Sequence, residues 1–390
     1  MRTLLMRAAL CLLSLTLLMA SAWPAARGES DPYQEQLDRM SLEEKVCQMF
    51  VVEPTSIIKK DYLYTLGSAT RKALARYPVG GFIYFPRNLP GRDALKQGIA
   101  YYQQVMADLG APPLIICADE EGGSITRVVK RYGQMDFPAP QAIGTQGAEA
   151  ARQAGLEAGA VMKALGFNLN LAPALDLTDG TGPLGSRSYG SRPAQVIPPA
   201  GAFVKALQEQ GIAATAKHFP GMGSAGKDTH QGLANNDRTL EQLQSHELLP
   251  FVALMEEGIP LIMVGHVTYT ALDPERPASL SPVIVKDLLR EHMGYEGLII
   301  TDALGMKAVT GDYSSGEAAV MAIQAGHDLL LMPAHFKNAL KGVLEAVTKG
   351  EIAESRIDES VLRILRFKDS FLAHETGLMF SEQPYTKHTS

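Results

Sequence analysis

Three cysteines in 390 residues cannot build a disulfide framework, so the fold has to stand on its hydrophobic core. Positive charge is not in excess: 36 Lys and Arg against 42 Asp and Glu give a formal net charge of −6. That balance argues against nucleic acid as a partner, since such binders normally carry a basic face. No collagen-like, coiled-coil or solenoid period runs through the chain, and no Ser/Thr/Pro linker or second block of composition divides it. His and Cys are nowhere at structural-zinc spacing, and Gly221-Met222-Gly223 is a turn signal rather than a Walker-type phosphate loop. The expectation is therefore no metal and no cofactor. What is present, 46% hydrophobic and 20% charged residues, is ordinary globular composition and excludes wholesale disorder.

One apolar run stands apart. Residues 8–19 follow Arg2 and Arg7 and lead into Ala20-Ser21-Ala22, the basic start, short apolar stretch and small-residue site of a signal peptide over 1–22. A secreted or periplasmic protein follows, with no stable membrane insertion after cleavage. The alternative, an uncleaved anchor, is disfavoured because the run is short for a bilayer. In an oxidising compartment Cys47 and Cys117 could pair, but each lies in an apolar run and reads as a buried free thiol.

From Asp31 onward, helical segments alternate with short apolar runs. Ser41-Leu42-Glu43-Glu44 is a capping box that opens a helix. Eight candidate strands follow, at 48–52, 81–85, 113–118, 168–172, 212–217, 261–264, 298–301 and 328–332. Continuous rather than alternating apolarity marks strands buried on both faces, as in a parallel sheet covered by helices. Helices are expected at 94–109, 148–165, 194–210, 239–257, 283–292 and 317–325, with two more at 338–349 and 354–373. The pattern is α/β, and eight strands favour a single (β/α)8 TIM-type barrel over a doubly wound open sheet. One catalytic domain is expected over 31–374, with a loose tail over 375–390.

Polar residues cluster where the strands end, the catalytic face of such a barrel. The third strand runs into Asp119-Glu120-Glu121-Gly122-Gly123. The fourth leads to Asp176 and Gly185-Ser186-Arg187-Ser188-Tyr189. The fifth ends in Lys217-His218-Phe219-Pro220-Gly221, and its loop reaches Asp228-Thr229-His230. The sixth and seventh end in Gly265-His266 and Thr301-Asp302. A lone polar residue after a strand is usually a helix cap or a turn, but five strands ending this way are hard to attribute to capping. Converging acids, bases and hydrogen-bonding groups suit a substrate with many hydroxyls. A metal hydrolase using His218 and His230 is a minor alternative.

Lys217 through Gly223 followed by Asp228-Thr229-His230 resembles the signature of glycoside hydrolase family 3, and more narrowly its single-barrel bacterial β-N-acetylglucosaminidases that act on peptidoglycan fragments. Asp119 through Gly123 with Arg127 resembles that family's sugar-binding turn. Asn170-Leu171-Ala172-Pro173 with Asp176 and the segment around Arg187 resembles its next motif, and Thr301-Asp302-Ala303-Leu304-Gly305-Met306 its nucleophile segment. The likeness extends over 40–371. It implies a retaining exo-β-N-acetylglucosaminidase in which Asp302 is the nucleophile and Asp228 with His230 the acid/base pair. No second domain is expected to supply a carboxylic acid, and histidine can give and take back a proton near neutral pH. Asp119, Arg127, Arg187, Lys217, His218 and His266 become substrate-binding candidates, with a GlcNAc-terminated glycan or muropeptide as the small-molecule partner. Glu120 stands where many relatives have glutamine, Ser124 where many have arginine and Met222 where many have histidine. The proline that often follows His230 is missing.

Other readings remain at this level. A β-glucosidase or a β-N-acetylglucosaminide phosphorylase would share these motifs. Lys217 at a strand end could form a Schiff base in an aldolase-like lyase. A sugar-binding protein without activity is disfavoured by the joint presence of Asp302, Asp228 and His230.

Overall fold

Each of the eight apolar runs forms a strand, and all eight pair in parallel. The computed structural model describes residues 31–133, 136–182, 184–223 and 234–376. The proposed signal peptide lies outside these residues, as does the tail beyond Thr376. The barrel strands are β1 (Phe50–Val52), β2 (Gly81–Ile83), β3 (Ile115–Ala118), β4 (Leu169–Asn170), β5 (Ala213–Phe219), β6 (Leu261–Val264), β7 (Leu298–Thr301) and β8 (Leu330–Leu331). Neighbours in sequence are neighbours in the sheet. β8 pairs with β1 through Phe50↔Leu330 and Val51↔Leu331, and an Ile300↔Leu329 bridge joins β7 to the start of β8. The sheet therefore closes into the expected (β/α)8 barrel.

Burial explains the continuous apolar spelling of the strands. Every residue of β1, β3, β6 and β7 is buried, because one face packs inside the barrel and the other against helices. Phe50, for example, meets Phe336 of the helix Phe336–Thr348 edge-on, with ring centroids 5.4 Å apart. Ser41 opens the helix Leu42–Gln48 with a complete capping box, its backbone N–H donating to Glu44 Oε2 at 2.7 Å. Cys47 and Cys117 are both buried and unpaired, and burial pushes both thiols above their ordinary pKa.

Three features differ from the expectation. The helix expected over 239–257 is two helices, Leu240–Ser245 and Leu249–Glu256. Pro250 lies in the first turn of the second, where its missing N–H costs nothing, so the chain restarts there rather than continuing. A two-stranded parallel ribbon, Ala234–Asn236 with Val267–Tyr269, was not expected. It is tied to the turn after β5 by Tyr269 Oη, which donates to the Gly221 carbonyl at 2.7 Å. The last helix, Glu354–Thr376, runs two residues past the expected domain boundary. Among the described residues no helix is long and apolar enough to cross a membrane.

Candidate active site

The singled-out strand ends meet at one rim of the barrel. Asp119 directly follows β3, Lys217 and His218 lie near the end of β5, His266 stands just past β6, and Asp302 directly follows β7. Arg187 arrives from the long loop after β4, at the end of the one-turn helix Gly185–Arg187. Successive side chains on a regular strand point to opposite faces. Between β5 and β6 the register passes from Lys217↔Met263 to Phe219↔Val264, which leaves His218 as the extra residue of a bulge. The bulge re-aims the chain so that Lys217 and His218 both reach acids at the rim. The Lys217–His218 peptide is cis.

Glu121 is the hub of the cluster, although the sequence reading placed no role on it. Lys217 Nζ donates to Asp119 Oδ1 at 2.7 Å and stands 2.7 Å from Glu121 Oε1. Arg187 grips the same carboxylate with two prongs, Nε to Oε2 at 2.7 Å and Nη2 to Oε1 at 2.8 Å, the geometry in which guanidinium binds carboxylate best. Burial alone would push the Glu121 carboxyl up, but Lys217 and Arg187 outweigh it and hold the group well below the usual carboxylate range. Burial also works against a charge on Lys217, and there Asp119 and Glu121 overcome it. Among the described residues these bonds leave Lys217, Asp119 and Arg187 with unused donors or acceptors, and the Asp119 and Arg187 side chains are each 18% exposed.

Asp176 organises the next turn. Its Oδ2 accepts from His218 Nδ1 at 2.7 Å, and its Oδ1 accepts from the Met222 N–H at 2.7 Å. His218 Nε2 lies 3.5 Å from Arg187 Nη2, which connects this pair to the Glu121 cluster. Gly223 permits the close approach of the β5 turn to the loop after β4, since a Cβ there would sit 1.9 Å from the Leu177 carbonyl oxygen. Lys217 therefore pairs with Asp119, and Asp176 belongs to His218.

Three consecutive acids point three ways. Asp119 faces the rim, Glu121 the cations, and Glu120 turns inward to accept from the backbone of Arg127, at 2.6 Å, and of Val128. Glu120 thus caps the short helix Val128–Tyr132. Burial pushes its carboxyl up to about 8 despite those donors. Gly122, with φ +103, makes the divergence possible, since a Cβ there would meet the Pro138 carbonyl oxygen at 2.2 Å. Arg127 contributes its backbone to this cap, and its Nε is buried without a partner among the described residues.

Asp302 is half-buried. Its N–H donates to the Val264 carbonyl at 2.9 Å, and its Oδ1 accepts from the Ala303 N–H at 2.7 Å. Oδ2 has no hydrogen-bond partner among the described residues. Burial opposes the charge, yet His266, His218, the Ala303 N–H and Lys217 together hold the carboxyl below its ordinary pKa. His266 is fully buried, with Nδ1 2.6 Å from Ser279 Oγ and Nε2 3.0 Å from the Ala303 carbonyl. Asp228 and His230 lie outside the described residues. Among the described residues no group of three or more His, Cys, Asp or Glu is placed to hold a metal. The arrangement offers a poised carboxylate beside paired charges with spare hydrogen-bonding capacity, which suits attack on a polyhydroxylated substrate.

Comparison with known proteins agrees with this chemistry. The profile described as "Glycosyl hydrolase family 3 N terminal domain" matches residues 41–367. A β-hexosaminidase of Idiomarina loihiensis is 33% identical over 272 residues, 68% of this chain and 80% of that protein. One from Glaesserella parasuis is 37% identical over 273 residues, 69% of this chain and 78% of that protein. The structure of a glycoside hydrolase family 3 β-N-acetylglucosaminidase from a Paenibacillus species superimposes with a TM-score of 0.80 at 35% identity. That match covers 90% of this chain and 66% of the Paenibacillus chain.

Proposed function

The chain belongs to glycoside hydrolase family 3 and is a glycoside hydrolase of the β-hexosaminidase type, and on that premise we propose an exported, retaining exo-β-N-acetylglucosaminidase. Its substrates would be terminal β-linked GlcNAc residues of peptidoglycan fragments or related oligosaccharides. Export is supported by the basic start, apolar run and small-residue site of residues 1–22. The peptidoglycan assignment rests on the motif likeness around Lys217–Gly223 and Asp228-Thr229-His230.

The mechanism assigns Asp302 as nucleophile. Its carboxylate attacks the anomeric carbon while the glycosidic bond breaks, and the leaving oxygen takes its proton from His230, which Asp228 orients. Water, losing a proton to His230, then opens the glycosyl–Asp302 ester from the opposite face and restores the β configuration. Asp119, Lys217, Arg187 and His218 would fix the hydroxyls of the sugar through charge-assisted hydrogen bonds. The observation that carries the reading is Asp302 itself. At the end of β7 its carboxyl is held in the ionised form that a nucleophile needs, with one oxygen free among the described residues.

The test compares nitrophenol release from the β-N-acetylglucosaminide and the β-glucoside, with and without phosphate, for the wild type and Asp302→Ala. Preference for the N-acetyl substrate that vanishes in Asp302→Ala is the expected result. A sugar phosphate product in the presence of phosphate would make the enzyme a phosphorylase. Preference for the glucoside would overturn the specificity.

A further inference from the structure

We propose that Ser279 is a positioning residue for the reaction, acting through His266 to fix the turn that carries Asp302. The inference rests on the reading of Asp302 as nucleophile. His266 bridges two elements. A carbonyl oxygen can only accept, so the 3.0 Å contact with Ala303 requires the proton on Nε2. The Ser279 hydroxyl, 2.6 Å from Nδ1, is free to rotate and completes the second bond, as donor to a neutral ring or as acceptor from a charged one. The imidazole becomes a strut between the one-turn helix Ala278–Leu280 and the peptide next to the nucleophile.

Ser279 can serve as an anchor because it is itself pinned. It is fully buried, its N–H donates to the Gly265 carbonyl at 3.1 Å, and its carbonyl accepts from His327 Nε2 at 2.9 Å. His327 lies just before β8, and burial pushes its pKa down to about 3, so it donates as a neutral ring. The string His327–Ser279–His266–Ala303 thus ties the ends of β6 and β7 to the segment that leads into β8. The backbone of the nucleophile turn is also held by Asp302 N–H to Val264 and by Leu304 N–H to Leu331, each at 2.9 Å. His266 supplies the side-chain brace on the same turn. In-line attack tolerates little misplacement of the carboxylate, so loosening the brace slows the chemical step. The groups that would bind the sugar sit on or after β3, β4 and β5, so affinity is spared.

Ser279→Ala tests this, measured as kcat and KM per active site titrated with a slow fluorinated N-acetylglucosaminyl donor. We expect kcat to fall about tenfold while KM stays within about twofold, the size of one lost buried hydrogen bond expressed in the transition state. Ser279→Cys keeps a weaker donor in a similar volume and should fall between Ser279→Ala and wild type. It also carries the test if Ser279→Ala does not fold. Unchanged kcat per titrated site, or a raised KM with kcat intact, would overturn the proposal. The fluorinated donor also labels the nucleophile. A label on Asp302 with unchanged Ser279 variants removes the positioning role alone, whereas a label on another residue removes the Asp302 reading and the proposal with it.

Discussion

The two ends of the barrel each bury a carboxylate between cations, and they use it differently. At the rim where the strands end, Glu121 is held by Lys217 and Arg187, and both cations extend toward side chains that keep unused hydrogen-bonding capacity. At the opposite end, Asp328 precedes β8 and every acceptor position on it is taken. Its Oδ2 accepts from Arg290 Nη2 at 2.7 Å and the Ile299 N–H at 3.0 Å, and its Oδ1 from Ser360 Oγ at 2.9 Å and Arg363 Nη1 at 3.2 Å. Arg290 turns its Nη1 to the Tyr295 and Gly297 carbonyls. The lower cluster is wired into backbone and closed, so it can only hold the sheet to the helices around it. The upper one is partly open, so its charge remains available to a substrate. Similar residues become structural or functional according to whether their valence is exhausted.

Exchanging damage between the two ends is the sharpest way to break this distinction. Asp328→Asn removes a fully buried charge from between two half-buried arginines and should cost about 3–5 kcal/mol of stability. Its kcat per titrated active site should match the wild type. Glu121→Gln at the rim should lower kcat/KM about a hundredfold per titrated site, equivalent to about 2.7 kcal/mol. Thermal unfolding and active-site-normalised kinetics on the two variants decide the matter. Wild-type kcat/KM in Glu121→Gln would make the upper cluster a second structural clamp.

A smaller effect belongs to the closed end alone. Lys368 is fully buried, and its Nζ donates to Gln48 Oε1 at 2.7 Å. Burial pushes it from its ordinary value of 10.5 down to about 7. Between these values the unfolded chain binds more protons than the folded one, so stability rises with pH across that window and levels off above it. Lys368→Met should stabilise by about 1–3 kcal/mol at neutral pH, once the orphaned Gln48 oxygen is counted. The gain should vanish towards pH 10.5, read as the difference between the two melting curves. A gain independent of pH would mean that packing, not the buried amine, accounts for it.

The same contrast governs what the sequence discloses. All eight strands are legible because burial on both faces writes them as unbroken apolar runs, and Asp119 and Asp302 are legible because each follows such a run directly. Glu121 and Asp176 are not distinguished in the same way. In Asp119-Glu120-Glu121 three acids look alike, and only the positive φ of Gly122 and the inward turn of Glu120 send them to different partners. Ser279 is hidden for a different reason. It stands thirteen residues after His266, beyond the ribbon strand Val267–Tyr269, and nothing local marks it as a partner. The Asp328 cluster gathers Arg290 from one helix and Ser360 and Arg363 from the last one, contacts that only the closed barrel brings together. The break in the helix expected over 239–257 was signalled by Pro250, whose fixed geometry suits a first turn better than an interior.

Glu120 offers the finest division between the two kinds of site, because it follows a strand at the rim yet is buried and turned away from it. One oxygen accepts two backbone N–H groups and the other is buried without a partner among the described residues. Burial lifts the carboxyl from an ordinary 4.5 to about 8, so the folded protein holds more protons than the unfolded chain between those values. Stability contributed by this group is complete below pH 4.5 and lost as pH rises to about 8. Glu120→Gln keeps the accepting oxygen and cannot ionise, but it buries an amide with two unsatisfied donors. The net expectation is a gain of about 1–2 kcal/mol at pH 8, falling to none or a slight loss near pH 4.5. Denaturant melts at the two pH values measure it, and kcat/KM at pH 6 should stay within about twofold of wild type because the capping geometry is preserved. Equal stability differences at both pH values would mean that Glu120 is ionised in the folded protein. In that case it would belong with the open charges of the rim rather than with the closed ones beneath it.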